Sequence, residues 1–412
     1  MNSMGDNSKK PGIRFKGFTD DWEQRKLGEL GSLKNGMNFS KKAMGIGFPF
    51  VNLQNIFGNN VIDVSNLGKA MASDSQLKDY NLLNGDVLFV RSSVKLEGVG
   101  EAALVPQTLD NTTYSGFIIR FRDEYGLDNN FKRFVFGIES VRNQIMSQAT
   151  NSANKNISQS VLENLELAIP SKSEQQKIGA YFSNLDHLIT LHQRKYDKLV
   201  MSKKSMLEKM FPKNGQTKPE IRFSGFIDDW EQRKLGELGT ITTGNTPSTS
   251  IPDYYSDDGI VWVTPTDICE NITFESARKL SDLGQQVGRV VPKNTILVTC
   301  IASIGKNTML GNTGSFNQQI NGLTPNENKY DPYFLLTESA LWSAKMKGSA
   351  AAGTMQIVNR TEFSELKTWL PSLIEQQAIG AFFKQLDHLI TLHQRKVSSR
   401  LFLNKSTIFR EN

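Results

Sequence analysis

Cysteine and histidine are scarce in this chain, which holds two cysteines and four histidines among 412 residues. The two cysteines, Cys269 and Cys300, cannot form a disulfide framework and are too few for a cysteine-rich zinc site. No stretch approaches the roughly 20 apolar residues of a membrane span, and the opening residues MNSMGDNSKKPG lack the apolar core of a secretion signal. We therefore expect a cytoplasmic protein with no membrane segment.

Familiar catalytic motifs are also missing. SIGKN at 303–307 contains a Gly-Lys pair, but Cys300 stands where a phosphate-binding loop has its first glycine, and Asn307 replaces its serine or threonine. DPYF at 331–334 lacks the second proline of an amino-methyltransferase motif, and we interpret it as a helix start. We expect no catalytic residue, cofactor or metal in this chain. An enzyme remains an alternative, because catalytic groups can be scattered along a sequence.

The charge balance is mildly basic, with a formal net charge of +6 and a pI near 9.0. This balance favours a polyanionic partner, although a mildly basic protein without one would have the same values. With 38% hydrophobic and 22% charged residues, the composition is that of a folded globular protein. The length suits two or three domains.

Two pairs of near-identical segments dominate the sequence. The N-terminal repeat segments, IRFKGFTDDWEQRKLGELG at 13–31 and IRFSGFIDDWEQRKLGELG at 221–239, are identical at 17 of 19 positions. The helical repeat segments, EQQKIGAYFSNLDHLITLHQRK at 174–195 and EQQAIGAFFKQLDHLITLHQRK at 375–396, are identical at 18 of 22 positions. A repeat in this order indicates two copies of one module.

Between the repeat segments lie two variable segments, roughly 32–170 and 240–371, which share almost no sequence beyond scattered apolar positions. Near-identity beside wholesale difference suggests that the repeat segments meet a common partner while the variable segments do different work. A recent duplication with one degenerating copy is the alternative, although both variable segments look foldable.

The helical repeat segments begin long helices with heptad spacing. Ser171 and Ser372 each precede a glutamate three residues on, which predicts a capping box at each helix start. The apolar spacing predicts a pair of long antiparallel coiled-coil helices that acts as a rigid spacer, with an ordinary core helix as the alternative. The predicted seam residues are Ile178, Phe182, Leu185, Ile189, His192, Ile379, Phe383, Leu386, Ile390 and His393.

All four histidines lie in the duplicated sequence LDHLITLHQRK. Two histidines five residues apart do not share a helix face as a zinc-binding i, i+4 pair does, and no glutamate lies between them. We therefore interpret His192 and His393 as polar seam residues that set the register of the helices.

Both variable segments are predicted to form mixed α/β domains. Short β-type runs occur at 48–57, 86–93 and 114–121 in the first, with matching runs in the second at 259–268, 294–305 and 316–325. Each set precedes a predicted helix, FKRFVFGIESVRNQIM in the first and PYFLLTESALWSAKMK in the second. The predicted fold class is therefore α+β with an internal repeat.

Polar residues interleave with these strands and turns. Asn, Gln and Arg can make bidentate contacts to base edges, although alternating polar residues commonly just face solvent. The candidate DNA-binding residues are Asn52, Gln54, Asn55, Arg91, Ser92, Ser93, Lys95, Asn154, Lys155, Thr264, Thr266, Asp267, Ser303, Lys306, Gln318 and Gln319.

The DDWEQRKLGEL segments, the Pro-Ser-x-x-EQQxIGAxFxxLDHLITLHQRK helices and their tandem order resemble the specificity (S) subunit of type I restriction-modification systems. The resemblance covers essentially residues 11–412. It implies two mixed α/β target recognition domains separated by a pair of long antiparallel helices, in a pseudo-twofold repeat, with each domain reading one half of a bipartite asymmetric DNA site. The implied domains are 11–170 and 219–371 for recognition, each with its repeat segment, and 171–212 and 372–412 for the spacer helices.

The resemblance also implies partners that serve host defence. These are double-stranded DNA, two modification subunits that use S-adenosylmethionine to methylate adenine, and restriction subunits that use ATP and Mg. This chain would then be a non-catalytic subunit that carries none of those cofactors. A coiled-coil scaffold that does not bind DNA, and the recognition subunit of a related system without a restriction partner, are the alternatives.

Overall fold

The computed structural model describes residues 11–150, 153–213, 215–301, 303–351 and 357–406. These described residues form two compact units: those within 1–192 and 396–412 make up the first unit, and those within 193–395 make up the second unit. The opening residues 1–10, where the sequence lacks a secretion signal, lie outside the described residues.

The described part of the first unit is a mixture of short strands and helices. Its strands are β1 (Glu23–Lys26), β2 (Gly31–Asn35), β3 (Met44–Val51), β4 (Gly68–Ala70), β5 (Val87–Val90), β6 (Ser92–Ser93), β7 (Ala102–Leu104), β8 (Thr113–Tyr114), β9 (Ile118–Asp123), β10 (Lys155–Asn156) and β11 (Glu166–Ile169). Its helices are α1 (Leu27–Leu30), α2 (Asp74–Asp79), α3 (Asn129–Val135), α4 (Glu139–Ser147), α5 (Gln159–Glu163) and the first part of α6 (Lys172–Lys209).

The second unit repeats this composition. Its strands are β12 (Glu231–Lys234), β13 (Gly239–Thr243), β14 (Tyr255–Val263), β15 (Ile272–Thr273), β16 (Lys279–Leu280), β17 (Ile296–Thr299), β18 (Asn307–Leu310), β19 (Gly314–Phe316), β20 (Ile320–Pro325) and β21 (Lys367–Leu370). Its helices are α7 (Leu235–Leu238), α8 (Asp282–Val287), α9 (Pro332–Ala351), α10 (Arg360–Glu365) and α11 (Leu373–Ser406), whose residues from 396 onward belong to the first unit.

The two units share a sheet topology that their sequences hide. The first has strand orders β2-β9-β5-β7, β4-β3-β8 and β1-β11, and the second has β13-β20-β17-β18-β15, β16-β14-β19 and β12-β21. The register also matches, because Val51 pairs with Tyr114 in parallel in the first unit as Val263 pairs with Phe316 in the second. The predicted α+β class with an internal repeat is confirmed.

The central strand of each unit is buried on both faces. Val87 and Phe89 of β5 join one apolar cluster, while Leu88 and Val90 join another, because successive side chains of a strand point to opposite faces. In β17, Ile296 and Val298 enter one cluster and Leu297 the other. A continuous apolar run such as VLFV or ILV predicts this kind of strand.

The helix predicted after the strands differs between the units. In the second unit it is continuous as α9, and Asp331 accepts a hydrogen bond from the backbone N–H of Phe334 at its start, so the helix-start interpretation of DPYF is confirmed. In the first unit the helix breaks into α3 and α4, and Gly137 closes the break with an N–H donated to the carbonyl of Phe134. Glycine disfavours a helix interior.

A buried ion pair joins the two repeat segments of each unit. Arg14 donates two hydrogen bonds of 2.7 Å to the Glu174 carboxylate, and Arg222 does the same to Glu375. Each glutamate side chain is only 1% exposed. The capping box predicted at the helix starts is wrong in its glutamate half, because the carboxylate is committed to the arginine instead of the backbone of the cap residue.

The neighbouring glutamine of each helical repeat segment binds the start of the helix that follows the strands of its unit. The Gln175 side chain accepts from the backbone N–H of Asp128 and donates to the carbonyl of Pro170. Gln376 makes the same two bonds, to Asp331 and Pro371. The identity of these buried residues between the copies is thus explained by contacts inside each unit, without any partner.

Each helical repeat segment also has a glycine where its helix packs tightly against the start of another helix, α3 in the first unit and α9 in the second. A Cβ added to Gly179 would lie 2.7 Å from the backbone nitrogen of Phe131, and one added to Gly380 would lie 2.3 Å from the Asp331 carboxylate. We expect Gly179→Ala and Gly380→Ala each to lower the free energy of unfolding by about 1–3 kcal/mol through overpacking. Urea unfolding of the two variants measures this effect.

Gly348 in α9 provides the control, since an added Cβ there meets no atom within 4 Å. Gly348→Ala is expected to stabilise the protein slightly, because alanine favours a helix by up to about 1 kcal/mol over glycine. Equal effects at Gly348 and Gly380 would contradict the close-packing explanation.

The predicted seam residues are buried for a reason that the heptads did not reveal. In the first unit Ile178, Phe182 and Leu185 join the apolar core of the variable segment, and the rings of Phe182 and Phe134 lie 5.2 Å apart. In the second unit Ile379, Phe383 and Leu386 do the same. Ile189 and Ile390 are partly buried against these cores, His192 is half-buried and His393 buried.

Helix pairing is visible within the second unit, where the end of α6 lies along α11. Lys203 forms an ion pair of 2.5 Å with Asp387, and Phe211, just beyond α6, contacts Phe383 at 6.1 Å between ring centroids. As the chain advances from 203 to 211, its partner on α11 moves back from 387 to 383. The two helices therefore run antiparallel, as predicted.

None of the helices in the described ranges combines the length and apolarity needed to cross a lipid bilayer. No group of three or more His, Cys, Asp or Glu side chains within those ranges is arranged to hold a metal ion.

Candidate nucleic-acid interface

The predicted DNA-binding residues of the first unit converge on one edge of its sheets. The backbone N–H of Arg91 donates to the carbonyl of Phe117, and the N–H of Ile157 donates to Arg91. The β6–β10 pair joins Ser92 to Asn156. We call the surface formed by loops 52–57, 91–97, 115–117 and 154–157 the first loop face.

The second unit builds its edge with the same backbone bonds. The N–H of Cys300 donates to Gln319 and that of Val358 donates to Cys300, matching Arg91, Phe117 and Ile157 of the first unit. The ammonium group of Lys306 donates a hydrogen bond of 3.0 Å to the carbonyl of Pro265. We call the surface formed by loops 264–267, 300–301 with 303–306, 317–319 and 357–358 the second loop face.

The turn that follows β3 in the first unit and β14 in the second is held by hydrogen bonds to side chains of its own residues. The Asn52 backbone N–H donates to the Asn55 side chain at 2.9 Å, and the Thr264 N–H donates to Asp267 at 2.8 Å. Asp267 also accepts from the N–H of Ala277. These candidates shape the loops from within.

Asn55 shows this most strongly, since it is only 1% exposed and its amide donates to the carbonyls of Asp63 and Asn66. A side chain that is buried with its amide donors engaged cannot reach a base edge without breaking those bonds. We do not carry Asn55 into the proposed interface.

The remaining candidates are all exposed or half-buried. On the second loop face, hydrogen bonds also position three further side chains: Gln318 accepts from the Thr246 hydroxyl, Gln319 accepts from the Asn317 amide, and Lys306 donates to Pro265. The candidates at the surface of the loop faces are Asn52, Gln54, Arg91, Ser92, Ser93, Lys95, Asn154, Lys155, Thr264, Thr266, Asp267, Ser303, Lys306, Gln318 and Gln319.

The buried thiol of Cys300, beneath the second loop face, is not reactive as a nucleophile. Cys300 is 2% exposed, and burial raises its thiol pKa to about 11. A thiol with such a pKa is protonated near neutral pH and is not a nucleophile. This arrangement offers no support for the enzyme alternative at this position.

Sequence reasoning missed the apolar side chains of the first loop face. Val94 is 78% exposed and Phe117 is 57% exposed, and with Phe57 they line a cleft of about 580 Å³ that also contains Ser93 and Lys95. Such residues are not candidates when only polar side chains are considered as contacts to bases. Only the structure shows that these apolar residues point outward.

Both units match one family model. The description of this model is Type I restriction modification DNA specificity domain, and it matches residues 19–201 and again 227–400. The chain belongs to the type I restriction modification DNA specificity domain family. Each of the two family domains contains one complete loop face.

One relative in this family matches nearly the whole chain, and another matches part of it. The type I restriction enzyme MjaX specificity subunit of Methanocaldococcus jannaschii is 23% identical over 393 residues, which are 92% of this chain and 89% of that one. The HindI specificity subunit of Haemophilus influenzae is 28% identical over 171 residues, 39% of this chain and 37% of that one.

Solved structures of the family share the fold. The type I restriction-modification S subunit from M. genitalium aligns with a TM-score of 0.63 at 15% identity, covering 96% of each chain. A chain from a structural study of type I R-M complex assembly aligns with a TM-score of 0.53 at 17% identity, covering 93% of this chain and 95% of that one. The family fold of two mixed α/β domains and long helices is therefore that of this chain.

Proposed function

We propose that this chain is the DNA-sequence specificity subunit of a type I restriction-modification complex, with each loop face reading one half of a bipartite asymmetric site. One observation supports the proposal most strongly. The two loop faces differ in their side chains, but both units place them with the same strand register and the same backbone hydrogen bonds. A shared scaffold with two different reading surfaces suits a target with two different halves.

Charge and side-chain type support DNA as the ligand of these faces. Lys95, Lys155 and Arg91 lie on the first loop face and Lys306 lies on the second. Cationic side chains at the loops would hold the phosphate backbone, while amides such as Gln54 and the Gln318–Gln319 pair are suited to adenine. The scaffold alternative has no observation in its favour.

Partner subunits need a surface that both units repeat, and the exposed part of the helical repeat segments provides one. Leu188 and Leu389 are both 38% exposed, and Leu191 and Leu392 are exposed one turn further along. Exposed leucines at identical positions of two copies are explained by two identical partners. We assign this surface to two modification subunits, with restriction subunits completing the assembly.

The double variants Leu188→Asp/Leu191→Asp and Leu389→Asp/Leu392→Asp test this assignment. Each is expected to remove one modification subunit from the complex, since a charge in an apolar contact is costly to desolvate. Native mass spectrometry of the assembled complex reports the stoichiometry. Val64→Asp, an exposed apolar site outside the repeat segments, is the control and should leave it unchanged.

The chemistry of methylation and cleavage belongs, in this proposal, to the partners. S-adenosylmethionine, ATP and Mg are assigned to the modification and restriction subunits, and this chain acts as a non-catalytic cytoplasmic component. Methyl transfer by the purified chain alone, supplied with S-adenosylmethionine, would contradict that division.

Methylome sequencing tests the proposed function. Cells that express this chain with its modification subunit should carry N6-methyladenine in both halves of one split motif, and cells lacking this chain should not. A methylation pattern that does not depend on this chain would overturn the proposal and favour a scaffold.

A further inference from the structure

The loop faces differ most plainly at the turn that follows β8 and β19. The carbonyl of Phe117 accepts a hydrogen bond from the backbone N–H of Arg91, and the carbonyl of Gln319 accepts one from the N–H of Cys300, so Phe117 and Gln319 occupy one structural position. The first unit thus presents an aromatic ring where the second presents an amide. Different halves of a DNA target require such differences at matching positions.

Phe117 does not stand alone on the first loop face. It lines the cleft with Phe57 and Val94, and the hydroxyl of Ser93 and the side chain of Lys95 line the same cleft. Glu101 accepts a hydrogen bond from the backbone N–H of Gly58 and so fixes one wall. Glu97 and Glu101 line the cleft together with Lys95, so the side chains that set it apart are the exposed apolar ones. These side chains fit a ligand that is apolar at the point where it enters the cleft.

In the major groove of DNA, the C5-methyl group of thymine is the apolar feature among polar base edges and phosphates, and phenylalanine is one of the side chains that contact it. We propose that the first loop face recognises a thymine methyl group through Phe117 and Val94, making these specificity-determining residues for its half-site. This inference rests on the proposed function.

Replacement of thymine by deoxyuridine removes the methyl group and keeps every hydrogen-bonding group of the base pair. The test uses the complex of this chain with its modification subunits and duplexes carrying the methylated motif. Thymines are replaced one at a time in the half-site that the first unit reads, identified by exchanging residues 32–165. Loss of one buried methyl contact is expected to weaken binding about fourfold.

The decisive comparison is with Phe117→Ala, which should bind thymine and deoxyuridine duplexes equally. Phe117→Gln, which places the second unit's side chain type at this position, should also lose the distinction. Ile46→Ala is the control, because Ile46 is exposed on β3 of the same unit outside the cleft. This variant should keep the fourfold preference.

The outcomes separate this inference from the function on which it rests. Specific binding by the wild-type complex with no deoxyuridine effect in that half-site would overturn thymine recognition alone. A deoxyuridine effect that persists in Phe117→Ala would overturn the role of Phe117. Absence of any sequence-specific binding would overturn the proposed function and this inference with it.

Discussion

Replacing Arg222 with alanine is expected to lower the free energy of unfolding of the second unit by about 3–5 kcal/mol, because it leaves the buried Glu375 carboxylate without its partner. Both oxygens of Glu375 are held at 2.7 Å by this one guanidinium, and the hydrogen bond raises the pKa of Arg222 above its usual value. Arg14→Ala should do the same to the first unit through Glu174. Denaturant unfolding measures both losses.

The chain supplies a matched control at the surface. Arg233 lies 2.7 Å from Glu231, but both side chains are exposed. Arg233→Ala is expected to leave the free energy of unfolding almost unchanged, because an exposed ion pair contributes little to stability. The double variant Arg222→Met/Glu375→Leu should recover most of the loss, since a buried pair replaced by apolar groups leaves no unpaired charge. Equal losses for Arg222→Ala and Arg233→Ala would contradict this explanation.

Glu338→Gln is expected to stabilise the second unit at alkaline pH and to have little effect at acidic pH. Glu338 is 3% exposed in α9, and burial raises its pKa to about 8 from an ordinary value of 4.5. The backbone N–H of Trp369 donates to one carboxyl oxygen, while the other has no hydrogen-bond partner among the described residues. Glutamine preserves the acceptor and cannot ionise.

The direction of the pH effect follows from proton binding. Between about pH 4.5 and pH 8 the folded state keeps a proton that the unfolded state releases, so stability falls as the pH rises through this window. The total fall is up to roughly 4–5 kcal/mol. Unfolding of the wild type and Glu338→Gln at about pH 5 and about pH 8 measures it. Glu270→Gln, at an exposed position of the same unit, should leave the pH dependence intact.

The repeat and the strands could be predicted because both depend on local pattern. The runs at 86–93 and 294–305 contain β5 and β17, where consecutive apolar residues fill two cores. The runs at 114–121 and 316–325 were predicted as single strands, but each contains two strands separated by a turn. Those turns carry Phe117 and Gln319, which project at the loop faces.

The contacts of the repeat segments could not be predicted from the local sequence pattern. A serine followed three residues on by a glutamate is typical of a capping box. Nothing in that local pattern predicts that Glu174 and Glu375 bind a distant arginine instead. Heptad spacing likewise predicts that Phe182 is buried, but not that it packs against Phe134 of the variable segment. Both ambiguities concern partners far away in sequence.

Side-chain type alone could not sort the candidate DNA contacts. Gln54 and Asn55 are adjacent, yet one is exposed and the other is held inside the turn. Exposed apolar residues such as Val94 could not be proposed at all, since in sequence they are indistinguishable from core residues.

The most direct test of the account is to give the chain two copies of one loop face. Residues 240–366 are replaced by residues 32–165, which joins the copied segment between β12 with α7 and β21 at positions equivalent to its own, and the methylated motif is then sequenced. The account predicts a split motif in which both halves carry the sequence formerly read by the first unit. An unchanged motif in a folded, assembled complex would contradict the claim that each loop face reads its own half of the site.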